Sequence, residues 1–531
     1  TNKRYMFIKT LRLLSSWVGC ALIGAAVTMS CSNDDLLQNA KESHRVVEDS
    51  MTFSGVSQEE APTRTIIYDH TKGSGASVIW RNTDKILVKD NAGQWRQSAT
   101  ATFPIASKKS NAMFTVAGSY TSPTHAVVYT NKGLTGSQPQ VEIKKAQTQT
   151  APNNFDHAGE SGDCGVANAQ KVGSDYKFTL EHRASFICLI PRSSNTYVQH
   201  SKITKIEISS EDDIAGVYNI ASDGTLTLAS GGSKTITLTT GNGFAIDNTT
   251  ADMSKNASYA VIAPGRHSLR IRYWLRNTAD NPKGTIEGTV TKYVTLTFVP
   301  GSIHDVTANL SINDYGGTNY YMWDAKVNYW SGHEWNSADP WQPTKFLSTN
   351  STNYPKPGSD SYTPDRTTAG PLEASTSHFA ALPNANEMAW YVMKGDPRYD
   401  ADELWSTMGY LYKGGTWFKK RAYITGFSDS HQPDDASTDL RNTYKRLLKA
   451  VSKTLPATTE MDQYFYLPLL GYYSTSWNNY KFNAAGVTGY YWSSSAIPTN
   501  PTGSYALTIN KNTATLQESS PTNGMIVRPF E

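Results

Sequence analysis

Chemistry in a protein needs cysteines, histidines or carboxylates held at fixed spacings, and this sequence carries few such sets. Its cysteines are Cys20, Cys31, Cys164 and Cys188, and none follows Cys188. Gly332-His333-Glu334 offers one imidazole and one carboxylate, but no second histidine stands at helical spacing to complete a zinc pair. Gln432-Pro433-Asp434 supplies side-chain oxygens, yet calcium takes roughly six to eight oxygen ligands and one tripeptide cannot provide them. There is no Gly-x-Ser-x-Gly elbow, no phosphate-binding loop and no Ser/His/Asp set. The 46 acidic residues give many chance carboxylate pairs, so pairing alone points to no glycosidase-type site. No catalytic residue, metal ligand or cofactor is assigned on this basis, and the chain is expected not to be an enzyme.

The aromatic residues offer a different chemistry, since exposed Trp and Tyr faces stack on sugar rings. Trp330, Trp335, Trp341, Trp477 and Tyr480 lie in polar, turn-rich stretches and are the candidate glycan-contacting rings. Aromatics are unevenly spread: residues 1–312 hold 4 of 13 Trp and 10 of 30 Tyr, so the two halves are built differently. The break falls at residues 311–318, a Gly/Asn/Asp-rich stretch suited to a linker. A net charge of +3 without a dense Lys/Arg patch gives nucleic-acid binding no electrostatic support.

The elements that must carry these residues read first as β-strands. In Lys177-Phe-Thr-Leu-Glu-His-Arg-Ala-Ser-Phe186, Phe178, Leu180, His182, Ala184 and Phe186 share one face. A period of two marks a strand with one buried side, and it recurs at Ile236/Leu238, Leu269/Ile271/Tyr273 and Val294/Leu296/Phe298. His182 is expected to be a hydrogen-bonded core residue. Asp223-Gly224 is a two-residue hairpin signal. Cys188 sits in an alternating pattern that suits a buried thiol, while an oxidising exterior would also permit pairing with Cys164. Beyond residue 313, helical spacing appears at residues 384–393 and 440–451. Strand patterns follow at 464–468, 489–494, 504–509 and 524–528.

Lys3, Arg4, Lys9 and Arg12 precede an apolar run at residues 18–29, too short to span a bilayer core of about 30 Å. This reads as a removable export signal, and no later stretch approaches transmembrane length. Ser30-Cys31 followed by Ser32-Asn33-Asp34-Asp35 resembles a bacterial lipobox, although Thr28 stands where Leu is usual. That resemblance implies lipidation at Cys31, with Cys20 as the alternative acceptor. Anchoring to the outer membrane would come through the acyl chains, each buried CH₂ contributing about 0.8 kcal/mol.

Four ordered segments resemble the fimbrillins, the pilins of type V pili. They are Phe178-Thr-Leu-Glu-His-Arg-Ala184, Ile214-Ala-Gly-Val-Tyr-Asn-Ile220, Ala257-Ser-Tyr-Ala-Val-Ile-Ala-Pro264 and Leu296-Thr-Phe-Val-Pro-Gly301. The resemblance implies a mainly β protein with two transthyretin-like antiparallel β-sandwiches, at 65–192 and 196–312, behind a signal peptide (1–30) and a propeptide (31–64). It also implies assembly by strand exchange: a trypsin-like protease removes an N-terminal strand, and a donor strand from the next fimbrial subunit fills the vacated groove. Here the lid strand is residues 49–57, with Met51 and Phe53 on one face. The cut is expected between Arg64 and Thr65, with Arg45 as a competitor that would leave the lid in place.

Leu382-Pro-Asn-Ala-Asn-Glu387, Gly414-Gly-Thr-Trp417, Tyr490-Tyr-Trp-Ser-Ser494 and Gly524-Met-Ile-Val-Arg-Pro529 resemble disulfide-free C-type-lectin-like domains. An α+β domain over 313–531 is therefore expected. Gln432-Pro433-Asp434 repeats a tripeptide of calcium-dependent lectins, but their downstream Trp-Asn-Asp is absent. The related formylglycine-generating scaffold uses cysteines, which this half lacks. A domain that accepts a strand and offers none suits a fimbrial tip subunit with a glycan or protein receptor. The alternative is a stationary glycan-binding lipoprotein of a nutrient uptake system.

Overall fold

The computed structural model describes residues 50–56, 66–280, 284–345, 355–363, 373–474 and 481–531. Strand makes up 47% and helix 7%, so the mainly β expectation holds. The first sheet is built from β1 (Ser50–Val56), β2 (Ile86–Lys89), β3 (Trp95–Gln97), β4 (Asn111–Ala117), β5 (Thr124–Tyr129), β6 (Gly165–Val172) and β7 (Asp175–Phe178). Its order is β3-β2-β5-β6-β7-β1-β4. Phe53, Trp80, Phe114, Tyr176 and Phe178 are buried beneath it.

Residues 177–186 keep their alternation but not one strand. Phe178, Leu180, His182, Ala184 and Phe186 are all buried. The backbone breaks after Phe178 and again after His182, and Ser185 opens β8 (Ser185–Arg192) in another sheet. Backbone groups freed at the crossing are satisfied elsewhere: Arg183 N donates to Cys164 O at 2.8 Å, and Gly301 N to Ala184 O at 2.7 Å.

Further strands are β9 (Ser201–Ser209), β10 (Thr235–Ala245), β11 (Ser258–Ile262), β12 (Gly265–Asn277), β13 (Ile286–Phe298) and β14 (Ile303–Asn309). β8 lies between β11, antiparallel, and β14, parallel. Strands from before residue 192 pair beyond residue 196: Gln138–Ile143 with Ala215–Ile220, and Ala146–Thr148 with β10. One buried core runs through both stretches, from Ile67 to Leu411. The Asp223-Gly224 turn is present between antiparallel strands, with Gly224 at φ +84° and Asp223 Oδ1 accepting from Thr225 N at 2.9 Å.

The later half adds α1 (Ala385–Lys394), β15 (Arg398–Thr407), β16 (Tyr410–Lys419), β17 (Tyr464–Pro468), β18 (Thr488–Ala496), β19 (Ser504–Asn510) and β20 (Thr513–Ser519). The expected first helix is α1, started by a capping box between Asn384 and Glu387. The expected second helix, 440–451, is absent. Asn442 N and Thr443 N bond to Asp439 O in a turn, and Leu447–Ala450 pairs with the edge of β20. Leu447 is buried while Leu448, at 47%, Lys449 and Ala450 are exposed, as on a strand at the rim of a sheet. Asn442 and Thr443 are poor helix formers, so sheet pairing overrides the helical spacing.

This half is not a bead on a tether. β13 and β15 join in parallel through Thr289 and Glu403, carrying one sheet across residues 311–318. A Cβ at Gly288 would lie 2.5 Å from Asp402 O, so only glycine admits this approach. The buried Arg272 Nη2 donates to Asp400 Oδ1 and to Thr289 Oγ1, each at 2.7 Å. Thr458 N donates to Glu211 Oε1 at 2.8 Å across the same junction. Glu403 accepts from Thr289 Oγ1, Thr291 N and Thr291 Oγ1 at 2.9, 3.1 and 2.6 Å.

Burial, then the Asp400 carboxylate beside it, pushes the Glu403 pKa up to about 7. A folded pKa above the unfolded value of about 4.3 means a stabilising contribution that is full below pH 4.3 and lost as pH rises through 7. Glu403→Gln removes that penalty. Its unfolding free energy from urea denaturation should match the parent's at pH 4 and exceed it at pH 8, by on the order of 1–3 kcal/mol.

Candidate functional site

The N-terminal strand is an interior member of the first sheet. Against β4 it runs antiparallel from Ser50 opposite Ala117 to Val56 opposite Asn111. Against β7 it runs parallel, with Phe53 opposite Tyr176 and Gly55 opposite Phe178. Nothing else among the described residues joins β4 to β7 in this sheet, so without β1 each would present an unpaired edge. The gap would be about 9–10 Å, the width of one added strand.

Side chains make the slot specific. Phe53 is fully buried, stacked on Tyr176 at 4.9 Å and edge-on to Tyr120 at 5.1 Å. Gly55 is in phase with Phe53, and a Cβ there would lie 2.9 Å from the Trp80 ring and 3.1 Å from Phe178. Met51 is half-buried on the same face, while Ser50, Thr52 and Ser54 take the other. Residues 50–56 of the expected 49–57 segment thus form a strand, with Met51 and Phe53 inward. Trp80, Phe114 and Tyr176, which line the slot together with Phe178, were not singled out from sequence. The phase of Gly55 with Met51 and Phe53 was the available signal for a tight pocket.

Cys31, Arg64, Thr65, Trp477 and Tyr480 lie outside the described residues. By position in the chain, the Arg64–Thr65 bond falls between the end of β1 at Val56 and the next strand, Ile66–Tyr68.

The candidate aromatics divide. Trp330 is 4% exposed and packs edge-on to Tyr473 at 5.4 Å, so it is a core residue and not an open sugar platform. Apolar packing in a half without disulfides claims this ring. Trp335 is half-buried against Gly317 and Gly409. Trp341 is half-buried with one face covered by His333, the rings 3.4 Å apart and within 4° of parallel. Its Nε1 donates to Asp339 Oδ2 at 3.2 Å. Tyr423, at 46% exposure, is a more open ring in this half and was missed.

Gln432 is buried, its Oε1 accepting from Lys445 Nζ at 3.3 Å, and Asp434 pairs with Lys394 Nζ at 3.0 Å. Two lysines therefore occupy the oxygens that a cation would use. His182 Nδ1 lies 2.7 Å from Asp163 Oδ1, both side chains being wholly buried, as a core pair should be. Cys164 and Cys188 are buried and unpaired; burial pushes both thiols up. One cluster of ligand-type side chains occurs among the described residues, His70 with Cys188 and Asp305.

No protein-family model matches the chain, and no curated protein matches it. Among solved structures it is similar to a putative cell adhesion protein of Bacteroides ovatus, at 12% identity and TM-score 0.31, covering 49% of this chain and 92% of that one. It is also similar to a fimbrial protein of Bacteroides ovatus, at 11% identity and TM-score 0.24, covering 90% and 98%. A third similarity is to the fimbrial anchor protein Mfa2 of Porphyromonas gingivalis, at 11% identity and TM-score 0.22, covering 49% and 91%. At these scores the likenesses carry no argument about what this chain does.

The slot itself yields a measurable expectation. Phe53→Ala should cost about 3–5 kcal/mol in chemical denaturation of the uncut chain. A loss below about 1 kcal/mol would show that β1 is not structurally committed to the groove.

Proposed function

We propose that this chain is a structural and adhesive subunit of a surface fimbria, assembled by exchanging β1 for a donor strand from the next subunit. The observation that carries the proposal is β1 itself, an N-terminal strand held in the middle of a sheet. Its removal would leave two parallel edges and vacate an aromatic pocket. The Arg64–Thr65 bond stands between β1 and the remainder of the chain, where one cut frees the strand. Lipidation at Cys31 would hold the precursor at the outer membrane, facing outward, until assembly.

Placement at a tip is the finer part of this proposal, and the pairing of residues 513–531 supports it. β20 pairs with β19 and with Leu447–Ala450, and Met525–Ile526 pairs with Tyr320–Tyr321 and β18. Phe530 is 5% exposed, and Glu531 Oε1 accepts from the Tyr391 hydroxyl at 2.5 Å. Residues 513–531 are thus committed to their own half, and no strand among them is free to donate. A strand order that leaves residues 513–531 no free donor suits a subunit at a filament end. Residues 313–531, read as a C-type-lectin-like domain, would then meet a glycan or protein receptor through rings such as Trp335, Trp341, Trp477 and Tyr480.

The test is the N-terminal mass of the chain recovered from purified surface filaments, with immunogold labelling. A start at Thr65 and label at filament ends is expected, and Arg64→Ala should abolish incorporation. An N-terminus upstream of Met51 sinks strand exchange. An intact acylated Cys31 with label on the cell body alone would leave a stationary glycan-binding lipoprotein.

A further inference from the structure

Three strands place ligand-type groups side by side in the core. Cys188 on β8 stands opposite Asp305 on β14 and opposite Tyr259 on β11, so the three side chains leave one face of the sheet. His70, just beyond the Ile66–Tyr68 strand, comes down onto them. One ligand atom each from His70, Cys188 and Asp305 lies within 4.8 Å of the others.

The hydrogen bonds fix what these atoms can do. The Tyr259 hydroxyl donates to Asn153 Oδ1 at 2.6 Å, so it can only accept from His70 Nδ1, 3.1 Å away. That puts the imidazole proton on Nδ1 and leaves Nε2 with a bare lone pair. His70 is 4% exposed, and its Nε2 has no hydrogen-bond partner. It faces Asp305 Oδ1 at 3.5 Å, and the Cys188 thiol hydrogen-bonds to the same carboxylate and to Tyr259. The thiol proton is the electropositive group now beside these oxygen and nitrogen lone pairs, and a divalent cation could take its place. Gly73 N donates to Asp305 Oδ2 at 2.6 Å, which orients the carboxylate and leaves Oδ1 directed at the histidine.

We infer that His70, Cys188 and Asp305 form a binding site for one divalent metal ion of the zinc class. A sulfur, an imidazole nitrogen and a carboxylate oxygen suit zinc and its first-row neighbours, and not calcium or magnesium. Tyr259 plays the orienting part that a hydrogen-bond acceptor on the far ring nitrogen plays in metal sites. Ligand atoms around a tetrahedral zinc stand about 3.3–3.8 Å apart, so uptake draws the three groups together and displaces the thiol proton to solvent. Asp305, 13% exposed, marks the open side for entry and for a water as fourth ligand. The ion would staple the chain just beyond residue 65 to the β11-β8-β14 sheet, whether or not the lid is removed.

The test titrates the purified, reduced, chelator-treated uncut chain with Co²⁺ alone. One equivalent should give a thiolate-to-cobalt charge-transfer band that Zn²⁺ displaces. Cys188→Ser should lose the band and Cys164→Ser, the other buried thiol, should keep it. Asp305→Asn should weaken uptake at least tenfold. If Cys188→Ser does not fold, peptide-mapped alkylation of the unsubstituted chain decides, with Zn²⁺ slowing modification of Cys188 and not of Cys164. Saturating Co²⁺ without a sulfur band, a band that survives Cys188→Ser, or equal alkylation of Cys188 with and without Zn²⁺ would each overturn the site.

Discussion

The constraint on which the structure turns is the demand of β4 and β7 for a strand between them. Neither strand can leave its inward N–H and C=O groups unpaired at low cost, since a buried orphan group costs about 1–3 kcal/mol. β1 meets that demand along both edges, and Phe53 fills the space below. Main-chain pairing is nearly blind to sequence, so any strand of suitable polarity can make those bonds. The pocket is not blind. Trp80 and Phe178 admit no Cβ opposite Gly55, while Tyr120 and Tyr176 enclose an aromatic ring two residues earlier. A replacement strand is therefore selected by the order large, then small, on its inward face.

A chain built from two unlike halves must also hold them in register. The junction at Thr289 and Glu403 does this through a continuous sheet and a buried ion pair, Arg272 with Asp400. Buried ion pairs are weak sources of net stability, because desolvation offsets much of the attraction. What they impose is geometry, since losing one partner strands a charge. The close approach at Gly288 makes the same demand sterically.

Much of the sheet was legible because period-two burial survives even where strands break. Phe178 to Phe186 kept one face inward across a change of sheet, since alternation reports the environment of side chains and not the continuity of pairing. Strand β1 was legible for the same reason. Residues 440–451 misled because helical and edge-strand burial coincide over so short a run, and pairing with β20 decided the outcome. Trp330 misled because polar neighbours in sequence do not say which way a ring points. His70, Cys188 and Asp305 were invisible because 118 and 117 residues separate them in turn, and only register brings them together.

The aromatic excess of the later half now has a structural cause. Tyr320, Tyr329, Trp405, Tyr473, Tyr491 and Trp492 are essentially fully buried, and several direct their polar ends to backbone carbonyls. Trp405 Nε1 donates to Gly414 O at 2.9 Å, and Trp492 Nε1 to Tyr321 O at 2.8 Å. Large rings with one polar atom can fill a core and tie irregular loops to it at once. In a half without cysteines and with short strands, that combination does what a disulfide would otherwise do. Counting aromatics therefore overstates the surface available for ligand stacking. The rings left for recognition are those with solvent on at least one side, and Tyr423 fits that description better than Trp330.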